Sequence, residues 1–387
     1  MKRGFLWALT VLFLCSAFPA SASETGGTDG GMTDGLLGLE EEWEELDQFL
    51  KQETGQAGNG YTFSQIIKML MKGEGNELAR TMLGTLKEYL LSEISQGGKI
   101  VAQLLALGMI GAVFSNFSDI FTGSQLSETG FFMTYLLSFV MLAAGFSESV
   151  EIARQVMEKQ VEFINVLIPS YFLTVAWAGG SLSSVAWYEV VLFLIAAVQR
   201  FYLNILMPAT RIYILLVMAG NMAREDMLSR LTGLLKSGVE WGIRSLLGIV
   251  LGFQVIQGMV LPFADSIQTA GVQRLLRIIP GVGQGADAVT KLLLGSGVLI
   301  KNTMGAAAVL ILVLVSLVPV LKLAVLLFLY RAAAAVMQPV CDKRLVACIS
   351  SVADGQKLLL SLVIATLLLF VITITLICAS TNISYLA

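Results

Sequence analysis

Glu189, Arg211 and Lys322 are charged side chains set inside runs too apolar to form a wetted surface. A carboxylate at such a depth should face a cavity or a partner rather than lipid. Each cation can pair with a carboxylate, line an aqueous path, or snorkel to the interface along its long stem. Held at matched depth, the three would form a midplane site, the arrangement of a self-contained secondary transporter. A direct pair between Glu189 and Arg211 is the simplest version of it.

A second candidate is the irregular stretch from Arg274 and Arg277 through Pro280, Gly281, Gly283 and Gly285 to Asp287. A helix can restart over 286–294, Gly295 and Gly297 interrupt it again, and Lys301, Asn302 and Gly305 then open a long apolar run. A broken helix at membrane depth is tolerated only where protein or a water-filled cavity satisfies its freed backbone groups. The segment is therefore either a pore-lining or re-entrant element or a flexible interfacial loop. Its glycines resemble a phosphate-binding pattern, but no strand precedes them and no Lys-Ser/Thr pair closes them, so nucleotide binding is not expected. Gly305 and the three alanines after it give the small surface that lets membrane helices approach closely.

Composition limits what else the chain can be. Hydrophobic residues make up 56% of it and charged residues 14%, too few to cover a soluble surface. There is no histidine, which removes Ser-His-Asp and Cys-His catalysis, His-ligated metals and the usual proton shuttle near neutral pH. An enzyme is not expected, nor is a cofactor. The net charge of −3 has no basic stripe behind it, so nucleic acid is not a partner. Cys341 and Cys348 lack the close spacing of a zinc or redox motif.

The elements that would position these residues read as all-α, a polytopic helical membrane protein. Lys2 and Arg3, an apolar core over 5–14 and Ala20-Ser21-Ala22 form a secretory signal peptide over 1–22, with an uncleaved first helix as the alternative. Residues 23–60 are a flexible tether followed by an acidic amphipathic helix, whose stripe of Leu39, Trp43, Leu46 and Leu50 packs within the chain or docks another protein. Residues 61–98 are a helical extracytoplasmic segment. A span needs about 20 apolar residues. Candidates are 101–121, 131–149, 161–179, 185–204, 243–263, 303–330 and 358–379, and a short one over 209–222 makes eight. Arg224, Arg230, Lys236 and Arg244, and then Arg331, Lys343, Arg344 and Lys357, mark two cytoplasmic loops, which puts the N-terminal domain and the 380–387 tail outside.

A diverged tandem repeat organises the body. Pro169 and Pro280 are each followed 39 residues on by a second apolar proline, Pro208 and Pro319, and then by the cations Arg211 and Lys322, and Pro169, Pro208 and Pro319 are expected to break helices. Arg230 answers to Arg344, Ser237 to Ser351 and Glu240 to Asp354. The first two spans thus occupy 99–150, one repeat 155–263 and the other 266–379.

With this layout the chain resembles the stage III sporulation protein AE family of endospore-forming bacteria. The carrying features are the leader, the modest extracytoplasmic helical segment, the multi-span body, and the order Ile279-Pro280-Gly281, Gly283, Lys301-Asn302 and Gly305 before a long apolar run. The likeness runs from about residue 60 onward. It implies a multi-pass component of the secretion-like channel complex joining mother cell and forespore, seated in the mother-cell membrane around the forespore with its N-terminal domain in the intermembrane space. It also implies other stage III sporulation A membrane proteins, stage II sporulation protein Q and the lipid bilayer as partners. No catalytic residues follow from it.

Overall fold

The computed structural model describes residues 46–48, 65, 75–117, 124–177, 182–222, 228–276 and 283–380. Pro280 and Gly281, the leader, most of the tether and the C-terminal tail lie outside them. Seven helices follow: α1 (Gly75–Phe117), α2 (Ser124–Trp177), α3 (Leu182–Phe201), α4 (Met207–Met222), α5 (Ser229–Leu276), α6 (Gly283–Met337) and α7 (Lys343–Ser380). A π-turn, Tyr202–Leu206, joins α3 to α4 in one continuous rod.

Among the described residues, six stretches are long and apolar enough to cross a membrane: Leu91–Val113, Phe132–Tyr171, Val190–Asn221, Ser229–Gln257, Val298–Met337 and Lys343–Cys378. The eight expected spans become six because two expected reversals do not occur. Segments 131–149 and 161–179 are one helix, since the polar stretch between them contains neither glycine nor proline. Its side chains support helix through i,i+4 contacts, Arg154 Nε to Glu158 Oε1 at 2.8 Å and Gln155 Nε2 to Glu151 Oε1 at 3.1 Å. Segments 185–204 and 209–222 merge because the turn before Pro208 widens to π geometry, the Met207 N–H reaching the Tyr202 carbonyl. One extra residue in that turn accommodates a ring that would otherwise strike the carbonyl four residues back. Pro169 and Pro319 are likewise carried inside helices. Neither Gly295 nor Gly297 interrupts α6, and the boundary expected at 98 falls inside α1.

The last helix is the hub, packing against α2, α3, α4, α5 and α6, and more of its span is buried than of any other. Pro339 stops α6 just after Met337, and Asp342 starts α7 by accepting the Arg344 N–H at 2.8 Å, an N-cap. Side-chain contacts fix the registers. Gln160 meets Ser316 and Thr174 meets Met304, so α2 and α6 are antiparallel. Lys236 meets Asp354 and Gln254 meets Thr373, so α5 and α7 run parallel. Outside the core, Phe193, Phe328, Trp241 and Leu234 are 70% or more exposed. Large apolar side chains facing outward from long apolar helices suit a lipid boundary.

Candidate functional site

Lys322 is the best-placed of the expected charges. Its ammonium lies 3.7 Å from Glu93 Oε1 on α1 and 3.6 Å from Glu148 Oε1 on α2, so one α6 side chain links three helices. Glu93 is buried, while Glu148 is 65% exposed. A charge at the centre of a membrane helix costs about 2.5–3.5 kcal/mol on insertion scales, which is why it must find a counter-charge there.

Arg211 reaches the neighbouring position of the same α2 turn, its Nη2 3.5 Å from Ser147 Oγ. Arg211 and Lys322 therefore flank one turn of α2. Glu189 does not join them. It lies on the same rod as Arg211, 22 residues earlier, a rise of about 33 Å. That separation rules out the direct pair and the single midplane site expected from the sequence; the side chain of Glu189 lies outside the described residues.

A second charged contact sits nearer the α6–α7 turn. Asp354 of α7 takes Lys236 of α5 at 2.5 Å on one oxygen and Arg331 of α6 at 3.8 Å on the other. Beside it, Tyr213, Asn221, Ser229, Thr232 and Lys236 line an open cleft of about 230 Å³ where α4 turns into α5. At that end Cys341 is half-buried, and burial pushes its thiol up, slowing alkylation at neutral pH.

Farther along, four buried glutamines tie helices together. Gln160 donates to Ser316 Oγ at 2.9 Å, Gln254 to Thr373 Oγ1 at 2.6 Å, Gln199 to the Met157 carbonyl at 2.8 Å and Gln356 to the Leu323 carbonyl at 3.4 Å. Amides joining apolar helices in this way contribute about 0.6–1.7 kcal/mol each. In a double-mutant cycle, Gln254→Leu and Thr373→Val should show a coupling of about 1 kcal/mol in detergent unfolding. Strict additivity would mean that the bond contributes nothing.

Lys301 and Gly305 meet the far end of α7, and the buried Asn302 Oδ1 beside them accepts no hydrogen bond from any described residue. Lys301 is fully buried and its ammonium donates to the Cys378 carbonyl at 3.4 Å, in the last turn of α7. A cation at a helix C-terminus meets the negative end of its dipole and its orphan carbonyls. A Cβ at Gly305 would collide with Cys378 Sγ and come 3.4 Å from Tyr171 Oη, and those two groups are themselves 3.0 Å apart. This corner locks α2, α6 and α7, and its residues were expected as pore elements. Gly283 and Gly285 are in the first turn of α6. Pro169 and Pro208 are exposed and Pro319 half-buried.

Sequence reasoning missed Glu93, Glu148 and the glutamines as partners. Glu148 carried a signal, as a carboxylate at the end of the expected span 131–149. The others gave none, because their partners are 33 to 229 positions away.

Long apolar helices joined by buried amides and ion pairs define a polytopic helical protein of the membrane-spanning class. The model of the stage III sporulation protein AE family matches residues 61–381, and the chain belongs to that family. It is also similar to a stage III sporulation protein AE of Bacillus subtilis (strain 168), 23% identical over 396 residues that cover 99% of each chain. No solved structure matches it.

Proposed function

We propose that this chain is an integral membrane subunit of the sporulation secretion or channel complex linking mother cell and forespore, and that spore development requires it. The observation that carries the reading is the family match over 61–381, joined to a similarity that runs the length of both chains. The six apolar helices and their internal polar ties agree with a multi-pass protein whose spans form part of a conduit or its base. On this reading a signal peptide directs the segment that precedes the Leu91–Val113 span into the intermembrane space, and the body sits in the mother-cell membrane around the forespore. Its partners are the other stage III sporulation A membrane proteins and stage II sporulation protein Q.

The tandem repeat belongs to the same proposal. The parallel course of α5 and α7, with Lys236 beside Asp354 and Gln254 beside Thr373, suits two related halves packed side by side. A self-contained transporter is disfavoured, because Glu189 and Arg211 are far apart on one rod and Lys322 is engaged by Glu93 and Glu148.

Purification of the tagged protein from gently solubilised sporulating cells tests the proposal. The other sporulation membrane proteins should copurify with it; a clean, solitary chain would favour the transporter instead.

A further inference from the structure

Where α4 turns into α5, the cleft of about 230 Å³ is walled by groups that can give hydrogen bonds. Tyr213, Asn221, Ser229, Thr232 and Lys236 form its polar side, Leu216, Val217 and Leu228 its apolar side, and no carboxylate of a described residue lines it. Tyr213 marks it as a site. That residue is only 5% exposed, yet its hydroxyl makes no hydrogen bond to any described residue. A buried hydroxyl without a protein partner calls for water or a ligand in the space it lines.

Further donors converge on the same space. Because α5 begins at Ser229, the N–H groups of Ser229, Arg230 and Leu231 have no partner within their helix. The Thr232 N–H is the first to find one, on the Leu228 carbonyl at 3.0 Å, and Leu228 has no side-chain oxygen with which to cap the others. The Lys236 ammonium gives one proton to Asp354 and keeps two. Cations also outnumber carboxylates at this end. Lys236 and Arg331 share Asp354, Arg244 holds Glu240 and Arg344 holds Asp342, while Arg230, Lys343 and Lys357 add to the positive side. The balance stays positive when Arg224, Glu225 and Asp226 of the joining segment are counted. Finally, the cleft lies where Val190–Asn221 ends and Ser229–Gln257 begins, the headgroup level for two spans.

We propose that this cleft binds a phosphate group, carried by an anionic phospholipid or free in solution. Phosphate oxygens accept from the hydroxyl, ammonium and backbone N–H donors gathered here, and the start of α5 adds the positive end of its dipole. Basic pockets between membrane helices hold lipid phosphates in this way. Other ligands fit less well. A metal cation would meet the Lys236 ammonium and the positive helix end, and a carboxylate brings two oxygens where a phosphate brings three or four. The inference uses only the membrane class of the fold and stands apart from the complex proposed above.

The test is isothermal titration of the purified full chain in nonionic detergent with inorganic phosphate, dihexanoyl phosphatidylglycerol and dihexanoyl phosphatidylcholine. Phosphate, phosphatidylglycerol or both should bind saturably, with one site per chain. Binding of phosphate assigns a free anion, and binding of phosphatidylglycerol alone assigns a lipid headgroup. Tyr213→Phe removes only an oxygen that bonds no described residue, so this variant should keep the native unfolding temperature. Its affinity should fall about tenfold or more, the effect of losing a hydrogen bond to a charged group. Gly233→Leu adds a side chain beside the cleft where nothing lies within 4 Å of its Cβ, and should weaken binding at least as much without harm to folding. The proposal is overturned by the absence of saturable binding of either anion, by equally tight binding of phosphatidylcholine, or by full affinity in both variants.

Discussion

Replacing Gly355 with leucine should cost the protein its folded, monodisperse form. Gly355 lies where α7 crosses α4 and α2, and a Cβ built there would collide with the Ile214 side chain and come within 2.9 Å of Phe146 Cε2. Ile214 is fully buried and Phe146 nearly so, so neither can swing away. Overpacking a tight core usually costs about 1–3 kcal/mol, and wedging two helices off the hub puts this site at or above the upper end. The control is Gly252→Leu on α5, where nothing lies within 4 Å of the added atom. There the better helix propensity of leucine returns up to about 1 kcal/mol. Thermal unfolding in detergent should show Gly355→Leu far below the native chain and Gly252→Leu close to it. Similar midpoints for the two variants would mean that the α7 crossing is not tight.

Lys322→Met should be nearly as damaging, for an electrostatic reason. It leaves the buried carboxylate of Glu93 without its cation, while Glu148, 65% exposed, can turn to water. Removing one partner of a buried pair typically costs about 3–5 kcal/mol. Because Lys322 keeps 28% of its surface exposed and its contacts are 3.6–3.7 Å, a loss of about 2–3 kcal/mol is expected here. Adding Glu93→Gln to Lys322→Met should restore more than half of that loss, since a neutral amide tolerates the site. Glu148→Gln alone should cost less than about 1 kcal/mol. The measurement is the same unfolding assay run as a double-mutant cycle. Additive losses from Lys322→Met and Glu93→Gln would show that the two side chains do not interact.

Where sequence reading went astray, it did so for a local reason. The polar stretch over 150–160 separates the expected spans 131–149 and 161–179 because hydropathy falls there, yet every one of its residues is compatible with helix. The absence of glycine and proline was the better signal. Pro208 looked like a break, and backbone geometry absorbed it with one π-turn. Lys322 and Arg211 were legible as charges in the sequence, because a charge inside an apolar run is visible in a short window. Their contacts were not visible. Lys322 depends on Glu93, 229 positions earlier, and the pairing exists only because α1 and α2 both pack beside α6.

The sequence by itself determined the helical membrane class and the family resemblance. Each depends on side-chain chemistry within about 20 residues, the length that crosses a bilayer. Only the tertiary structure decided that eight runs become six long helices, that α7 is the hub, which glutamines and carboxylates meet, and which side chains line the cleft where α4 turns into α5. Those outcomes depend on the register between helices about 60–80 Å long. Distant side chains set that register by packing together, so no local pattern of residues encodes it.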